Sequence, residues 1–167
     1  MIQPPSRLVL DNATISTLHE ASVLSSVLEY WPGRWLLPLE VLGEAAAWKA
    51  HGAYVNAALR QLDARRVVEI TALVPIREGL LFAQLQRRLG QGESAAIAIA
   101  YHRGFRVCLD DRRARRACDQ LTPPVPWLST EAIIGEAVRD GFLTRPEAEA
   151  IWQATGIRDP NRSIPYS

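Results

Sequence analysis

Two continuous apolar runs, each followed at once by acid, constrain the fold of this chain more than any other feature. Residues 7–10 read Arg-Leu-Val-Leu before Asp11, and residues 105–109 read Phe-Arg-Val-Cys-Leu before Asp110 and Asp111. Short apolar runs bounded in this way are typical of strands that are buried on both faces. Such strands occur mainly in parallel sheets covered by helices, so the two runs predict an α/β domain.

The rest of the chain alternates between strand and helix patterns, as a parallel sheet requires. Helical periodicity predicts the connecting helices, and Gly52 is expected to interrupt the second of them. Thr144 and Glu147 have the spacing of a capping box at the start of the last helix. Strands are predicted at residues 7–10, 35–37, 67–74, 105–109 and 125–128, and helices at residues 15–28, 39–65, 77–89, 93–102, 112–121, 130–139 and 145–155.

Length and composition predict one ordinary globular domain. The 167 residues are 48% hydrophobic and 22% charged, which suffices for a packed core and is unlike a disordered chain. We expect a single domain over residues 1–158 and a polar tail over residues 159–167. No apolar stretch approaches the ~18 residues of a membrane span, and the first residues lack the pattern of a signal peptide. A soluble, cytoplasmic protein is expected, with Cys108 and Cys118 as reduced thiols.

Acidic residues at strand ends and on helices predict a binding site at one edge of the sheet. Ligands of open parallel sheets bind outside the carboxyl ends of the strands, where Asp11 and either Asp110 or Asp111 are expected. Glu44 lies near the start of the second long helix, and Glu93 opens a later helix after a glycine. Converging carboxylates repel one another unless a cation neutralises them, and Mg²⁺ or Mn²⁺ prefers such oxygen ligands.

A pair of metals bound by carboxylates suits the hydrolysis of a phosphodiester. Such metals generate a hydroxide nucleophile and hold both the attacking and the leaving oxygen. Each acid also has a simpler structural explanation, because aspartates cap helices and a glutamate complements a helix dipole. From spacing alone, both explanations stay open.

Three segments carry motifs that occur together in a known family. The first two are LVLDNATIS, with its strand-ending acid, and LPLEVLGE, with an acid on the second helix; the third is GQGESAAIAIAYHRGFRVCLDDRRARRA. Over residues 7–121 the chain resembles the PIN-domain family, which includes VapC-type toxin ribonucleases of toxin–antitoxin modules and related uncharacterised prokaryotic proteins. The segment STEAIIGEAVRDGFLT is similar to the family's C-terminal helical part. The resemblance implies a three-layer α/β/α fold with a mostly parallel central sheet, a Mg²⁺ or Mn²⁺ site and hydrolysis of RNA.

The resemblance also implies which residues are catalytic and hold the metal. Asp11 corresponds to the first acid of the family and Glu44 to the second. Glu93 falls at the third, where many members have Asp. The fourth is Asp110 by the Asp-Asp-Arg pattern, or Asp111 by counting from Glu93 as in the toxin subgroup.

One departure from the family leaves two functions open. Ala13 stands where many members carry Ser or Asn, although Thr14 and Ser16 are available as substitutes. The chain is therefore expected to be either a metal-dependent endoribonuclease, such as a toxin, or a catalytically weak PIN-like module that binds a protein partner. The family further implies RNA as substrate, frequent homodimers and, for toxins, an antitoxin that blocks the site.

The basic residues are nearly all arginines and concentrate beside the predicted acids. The sequence has 19 Lys and Arg against 18 Asp and Glu, a net charge of +1, and Lys49 is its only lysine. Arg112 and Arg113 follow the acidic pair, where their guanidinium groups are predicted to hold RNA phosphates. The alternative is a solvated helix face whose arginines, Arg115 and Arg116 included, pair with nearby aspartates. An acidic pocket rimmed by arginine sums to nearly zero, so the small net charge does not exclude nucleic acid.

Overall fold

A computed structural model describes residues 6–156, which form an α/β fold around a five-stranded parallel sheet. The polar tail predicted over residues 159–167 lies outside the described residues. The strands are β1 (Leu8–Val9), β2 (Trp35–Pro38), β3 (Val68–Thr71), β4 (Arg106–Cys108) and β5 (Trp127–Leu128). Their order in the sheet is β3-β2-β1-β4-β5, and each neighbouring pair is parallel. The predicted parallel sheet is confirmed.

Helices connect the strands and continue beyond the last of them. No helix among the described residues has both the length and the apolar content needed to cross a membrane. The helices are α1 (Asn12–Glu20), α2 (Leu24–Tyr30), α3 (Leu39–Ala46), α4 (Gly52–Ala64), α5 (Arg77–Leu85), α6 (Gln91–Arg103), α7 (Arg112–Gln120), α8 (Thr130–Arg139) and α9 (Arg145–Thr155).

Alternate residues of each strand enter two separate hydrophobic cores, one on each face of the sheet. Leu8 of β1 and Trp35 of β2 pack on one face with apolar residues of α1–α4, α8 and α9. Val9 and Leu36, the next residue in each strand, pack on the other face with α5, α6 and α7. Since successive side chains of a strand point to opposite faces, strands buried on both faces read as continuous apolar runs. The result is the three-layer α/β/α fold expected from the sequence.

Two long helices predicted from periodicity are each broken in the structure. The helix predicted at residues 15–28 is α1 and α2, and Ser22 between them has φ +59°. The helix predicted at residues 39–65 is α3 and α4, and the interruption expected at Gly52 is confirmed. A Cβ at Gly52 would lie 2.6 Å from the carbonyl oxygen of Ala46, so the close approach of the two helices requires glycine. Apolar spacing continues across both breaks, which is why periodicity alone did not reveal the first.

The register of the central strands brings the predicted acids to the same edge. β1 lies beside β4, with Val9 paired to Val107. Asp11 follows β1 by two residues and Asp110 follows β4 by two residues, so both leave the carboxyl edge of the sheet side by side. α3 begins directly after β2, the other neighbour of β1, and carries Glu44.

A buried ion pair that the sequence analysis did not identify fastens α6 to the connection between β3 and α5. Glu78 is only 1% exposed, and Arg103 donates to both of its carboxylate oxygens, at 2.7 and 3.0 Å. Arg103 also donates to Thr71 Oγ1 and to the carbonyl of Ala72, both at 2.9 Å. Burial acts to raise the pKa of Glu78, but the hydrogen bonds from Arg103 and Val74 outweigh it and hold that pKa below its usual range.

Removal of Glu78 is expected to destabilise the fold, because it leaves the Arg103 guanidinium without its partner in a largely desolvated position. The Glu78→Ala variant should lose about 3 kcal/mol of unfolding free energy in urea titrations. The matched control is Glu69→Ala, which breaks the exposed ion pair between Glu69 and Arg7 and should cost no more than about 1 kcal/mol. Equal losses in the two variants would contradict this account.

Candidate functional site

Asp11 is the most deeply buried acid at the carboxyl edge of the sheet. It is 2% exposed, and as the N-cap of α1 its Oδ1 accepts a hydrogen bond from the backbone N–H of Asn12 at 2.6 Å. Burial and, to a smaller extent, the charges of Glu93, Glu44 and Asp110 together raise the pKa of Asp11 to about 7, against the opposing effect of the Asn12 hydrogen bond. Glu93, Glu44 and Asp110 therefore lie close enough for their charges to act on this one carboxyl group.

Glu44 and Glu93 approach this group from two different helices. The carboxylate of Glu44, on α3, accepts the backbone N–H of Gly92 at 2.9 Å, at the start of α6. Glu93 turns back to accept the N–H of Gly90 at 3.3 Å. Burial, followed by the charges of Asp111 and Glu44, raises the pKa of Glu93, while the Gly90 hydrogen bond and nearby Arg113 oppose the shift.

Gly92 permits the contact between α3 and α6 because it has no side chain. A Cβ at this position would lie 2.5 Å from Glu44 Oε2, 3.1 Å from Glu44 Cδ and 3.2 Å from Val41 Cγ2. The nearest atom is the end of a flexible side chain, so the carboxylate of Glu44 would move rather than the backbone. The contact between the Glu44 carboxylate and Gly92 thus explains the glycine in the Gly-Glu motif at the start of this helix.

The Gly92→Ala variant is expected to displace Glu44 with little loss of stability. Metal binding that depends on Glu44 should weaken about 10-fold or more, as when a supporting contact of a metal ligand is lost. Overpacking should cost about 1 kcal/mol of unfolding free energy. The control is Gly43→Ala on α3, where the added methyl meets nothing within 4 Å. Calorimetry with Mn²⁺ checks the result, and equal affinity in the two variants would contradict it.

The adjacent acids Asp110 and Asp111 have different surroundings. Asp110 accepts two hydrogen bonds from Thr130, from its N–H at 2.8 Å and its hydroxyl at 2.6 Å, and it contributes to the raised pKa of Asp11. Asp111 is the N-cap of α7, and its Oδ1 accepts the N–H groups of Arg113 and Ala114 at 2.7 and 3.0 Å. Asp110 is therefore the inner acid beside Asp11, whereas Asp111 has the capping contacts that were its simpler explanation.

Thr130, the first residue of α8, supports the site through a buried network of polar side chains. Its Oγ1 lies 3.1 Å from Thr14 Oγ1, and Thr14 Oγ1 lies 3.1 Å from Cys108 Sγ. This buried chain of polar groups ties the start of α8 to α1 and β4 and fixes the orientation of Asp110. Of the two substitutes considered for the family's Ser or Asn, Thr14 joins this network, while Ser16 instead contacts Glu20.

The acids match a hard divalent cation in ligand type and in charge. Among residues 6–156, however, no three His, Cys, Asp or Glu side chains are gathered around a common point that could hold a metal ion. Instead, Glu44 and Glu93 bond to backbone N–H groups and Asp110 to Thr130. Two buried oxygens beside the acids, Asn12 Oδ1 and Ser94 Oγ, have no partner in the described part of the chain. Unpartnered buried oxygens and uncompensated carboxylates are what a cation and its waters would satisfy.

The arginines of α7 divide into a structural residue and exposed ones. Arg115 lies 3.6 Å from Asp110, donates to the carbonyl of Leu109 at 2.9 Å and stacks over the ring of Trp127 at 4.7 Å. Arg112 and Arg113 are exposed beside the acids. The predicted pairing of an arginine with a nearby aspartate therefore holds for Arg115.

Comparison with known proteins agrees with this architecture. The family model DUF3368, described as a PIN domain, matches residues 7–158. No curated protein matches the sequence. The matched residues run from β1 to beyond α9 and include every acid of the site. This chain belongs to the PIN-domain family.

Proposed function

We propose that this chain is a metal-dependent endoribonuclease that hydrolyses RNA phosphodiester bonds. PIN domains are generally nucleases, so a nuclease-type module is the starting point. The observation that carries the proposal is that Asp11 and Asp110 leave adjacent strands at the same edge of the sheet, where Glu44 is bonded to the N–H of Gly92 beside Glu93. Such a concentration of negative charge is costly for the fold alone and is typical of a functional site.

The proposed metal ligands are Asp11, Glu44, Glu93 and Asp110, with Mg²⁺ or Mn²⁺ as the cation. When bound, the cation activates water and stabilises the charge that develops on the phosphodiester. Asp111 is assigned to the capping of α7 because its oxygen is engaged by two backbone N–H groups.

Other residues of the chain support the proposed reaction by positioning groups. Thr130 fixes both oxygens of Asp110, and such supporting hydrogen bonds maintain the orientation and basicity of metal ligands. Arg112 and Arg113 are proposed to contact phosphates of the RNA, since their exposed guanidinium groups flank the acids. No histidine or lysine base is needed in this scheme.

The proposal is tested by incubating purified protein with single-stranded and structured RNA in the presence of Mn²⁺ or Mg²⁺. Cleavage should require the cation, stop when EDTA is added and resume when Mn²⁺ is restored in excess. RNA cleavage that continues at full rate in EDTA would contradict the proposed mechanism. Absence of cleavage on every RNA, despite calorimetric binding of Mn²⁺, would contradict the assignment of RNA as substrate.

A second function is supported by apolar side chains on the surface. Ile76 and Leu80, at the start of α5, are 78% and 69% exposed, and Val74 before them is 46% exposed. A group of exposed apolar residues is typical of a protein-binding surface. A catalytically weak module that binds a protein partner would have such a surface, and so would a toxin with an antitoxin or a homodimer. Calorimetry separates the two functions, because a silent module should bind no Mn²⁺ at millimolar concentration.

A further inference from the structure

A cavity lined by arginines lies beside the acidic site, on the face of the sheet that α5, α6 and α7 cover. Its volume is about 170 Å³. It opens between α7 and the connection from α5 to α6. Its lining residues are Arg88, Leu89, Arg113, Arg116, Ala117 and Gln120.

The arginines of this cavity have no carboxylate in direct contact among residues 6–156. Within the described part of the chain, Arg88, Arg113 and Arg116 form no ion pair with any carboxylate. Arg113 donates a hydrogen bond to the backbone carbonyl of Arg88 at 2.5 Å, which joins the two sides of the cavity. Among the described residues, the arginines that form ion pairs are Arg7, Arg34, Arg65, Arg103, Arg115 and Arg139.

The cavity adjoins the acidic edge of the sheet through one residue. Arg113 lines the cavity, and its backbone N–H donates to Oδ1 of Asp111, the residue next to Asp110, at 2.7 Å. A polyanion bound at the acids would therefore also lie close to these arginines. A planar guanidinium group can bind two phosphate oxygens at once, which suits these arginines to a phosphodiester more than to a neutral ligand.

We infer that Arg88, Arg113 and Arg116 form a subsite for a backbone phosphate of the RNA strand next to the bond that is cut. The inference rests on the proposed function and extends it, because it defines the path of the strand from the acids across α7. It also gives a role to two arginines that no sequence motif connects: Arg88, which precedes α6, and Arg116, which lies in the middle of α7. Leu89 and Ala117 supply the apolar part of the cavity lining.

Binding of a 3′-labelled single-stranded RNA, measured by fluorescence anisotropy in EDTA, tests this subsite without any cleavage. The double variant Arg88→Ala/Arg116→Ala should bind about 10-fold more weakly at low salt. The slope of log Kd against log salt should fall by about 0.7, as expected for the loss of one phosphate contact on a single strand. The control Arg60→Ala/Arg145→Ala removes two exposed arginines from α4 and α9, on the opposite face of the sheet, and should bind like the wild type.

Two arms of the experiment identify the source of the phosphate. An equal loss of affinity for RNAs with a 5′-hydroxyl and a 5′-phosphate supports a backbone contact. A loss confined to the 5′-phosphorylated RNA overturns it in favour of a terminal phosphate. Equal binding by the two double variants overturns the subsite itself. Because binding is measured without metal, a failure of Mn²⁺-dependent cleavage would contradict the proposed function and leave this result unaffected.

Discussion

Replacement of Asp11 by asparagine is expected to reduce Mn²⁺-dependent cleavage of RNA by at least about 100-fold. Loss of a residue that only supports a metal ligand already costs about 10- to 100-fold, and Asp11 is proposed to be a ligand itself. Asparagine keeps the shape of the side chain and is an equally good N-cap, so its Oδ1 can still accept the N–H of Asn12. The variant should therefore fold normally, and its loss should be one of chemistry.

The adjacent acids provide the internal comparison for this prediction. Asp110→Asn should lose cleavage to a similar extent, because Asp110 lies with Asp11 at the inner end of the site. Asp111→Asn should retain cleavage within a few-fold, since asparagine preserves the cap of α7. Single-turnover rates at saturating Mn²⁺ check the series. Wild-type rates in Asp11→Asn, or a larger loss in Asp111→Asn than in Asp110→Asn, would contradict the assignment.

The sequence predicted the sheet and most helices because local rules governed those segments. The boundaries predicted for α8 and α9 are those observed, and the capping box between Thr144 and Glu147 is present as expected. The acids Asp11 and Asp110 could be placed at one edge because parallel strands end together. The match to the PIN-domain family over residues 7–158 confirms the resemblance seen in the motifs.

What the sequence left open depends on contacts between distant residues. The sequence does not distinguish the roles of the adjacent residues Asp110 and Asp111. They differ because α7 begins at Arg112, which makes Asp111 its N-cap, and because α8 brings Thr130 into contact with Asp110. Periodicity did not predict that Glu78 is buried, because a charged side chain is rarely buried without a partner, and its partner Arg103 is distant in the sequence. The arginine-lined cavity likewise joins Arg88 to residues of α7, a contact that only the fold creates.

In the absence of metal, Asp11 is expected to make the free energy of unfolding fall as the pH rises. Burial and the neighbouring acids raise its pKa from 3.8 to about 7. Below 3.8 the carboxyl group is protonated in both the folded and the unfolded chain, so it contributes no pH dependence there. Between 3.8 and about 7 the unfolded chain ionises while the folded chain keeps its proton. The folded state then binds more protons, and its stability declines until the pH exceeds the folded pKa.

The size of this effect follows from the interval between the two pKa values. An interval of about three pH units, at about 1.36 kcal/mol for each, corresponds to about 4 kcal/mol. Asparagine at position 11 behaves like a permanently protonated aspartate. In EDTA, the Asp11→Asn variant should therefore resemble the wild type below about pH 4 and exceed its unfolding free energy by about 4 kcal/mol at about pH 8.

Urea titrations of the two proteins across this pH range, with and without Mn²⁺, provide the measurement. The difference in unfolding free energy between the two proteins reports on Asp11, because other acids with altered pKa values, such as Glu78, are the same in both. Saturating Mn²⁺ should stabilise the wild type at high pH and leave the variant unchanged, since a ligand that binds only the folded state shifts unfolding by mass action. A difference that stays constant with pH would contradict the buried, charge-crowded position of Asp11. A pH-dependent difference that Mn²⁺ does not reverse would keep that position but contradict its role as a metal ligand. The same substitution should thus weaken the enzyme and strengthen the metal-free fold, a combination that a purely structural aspartate would not produce.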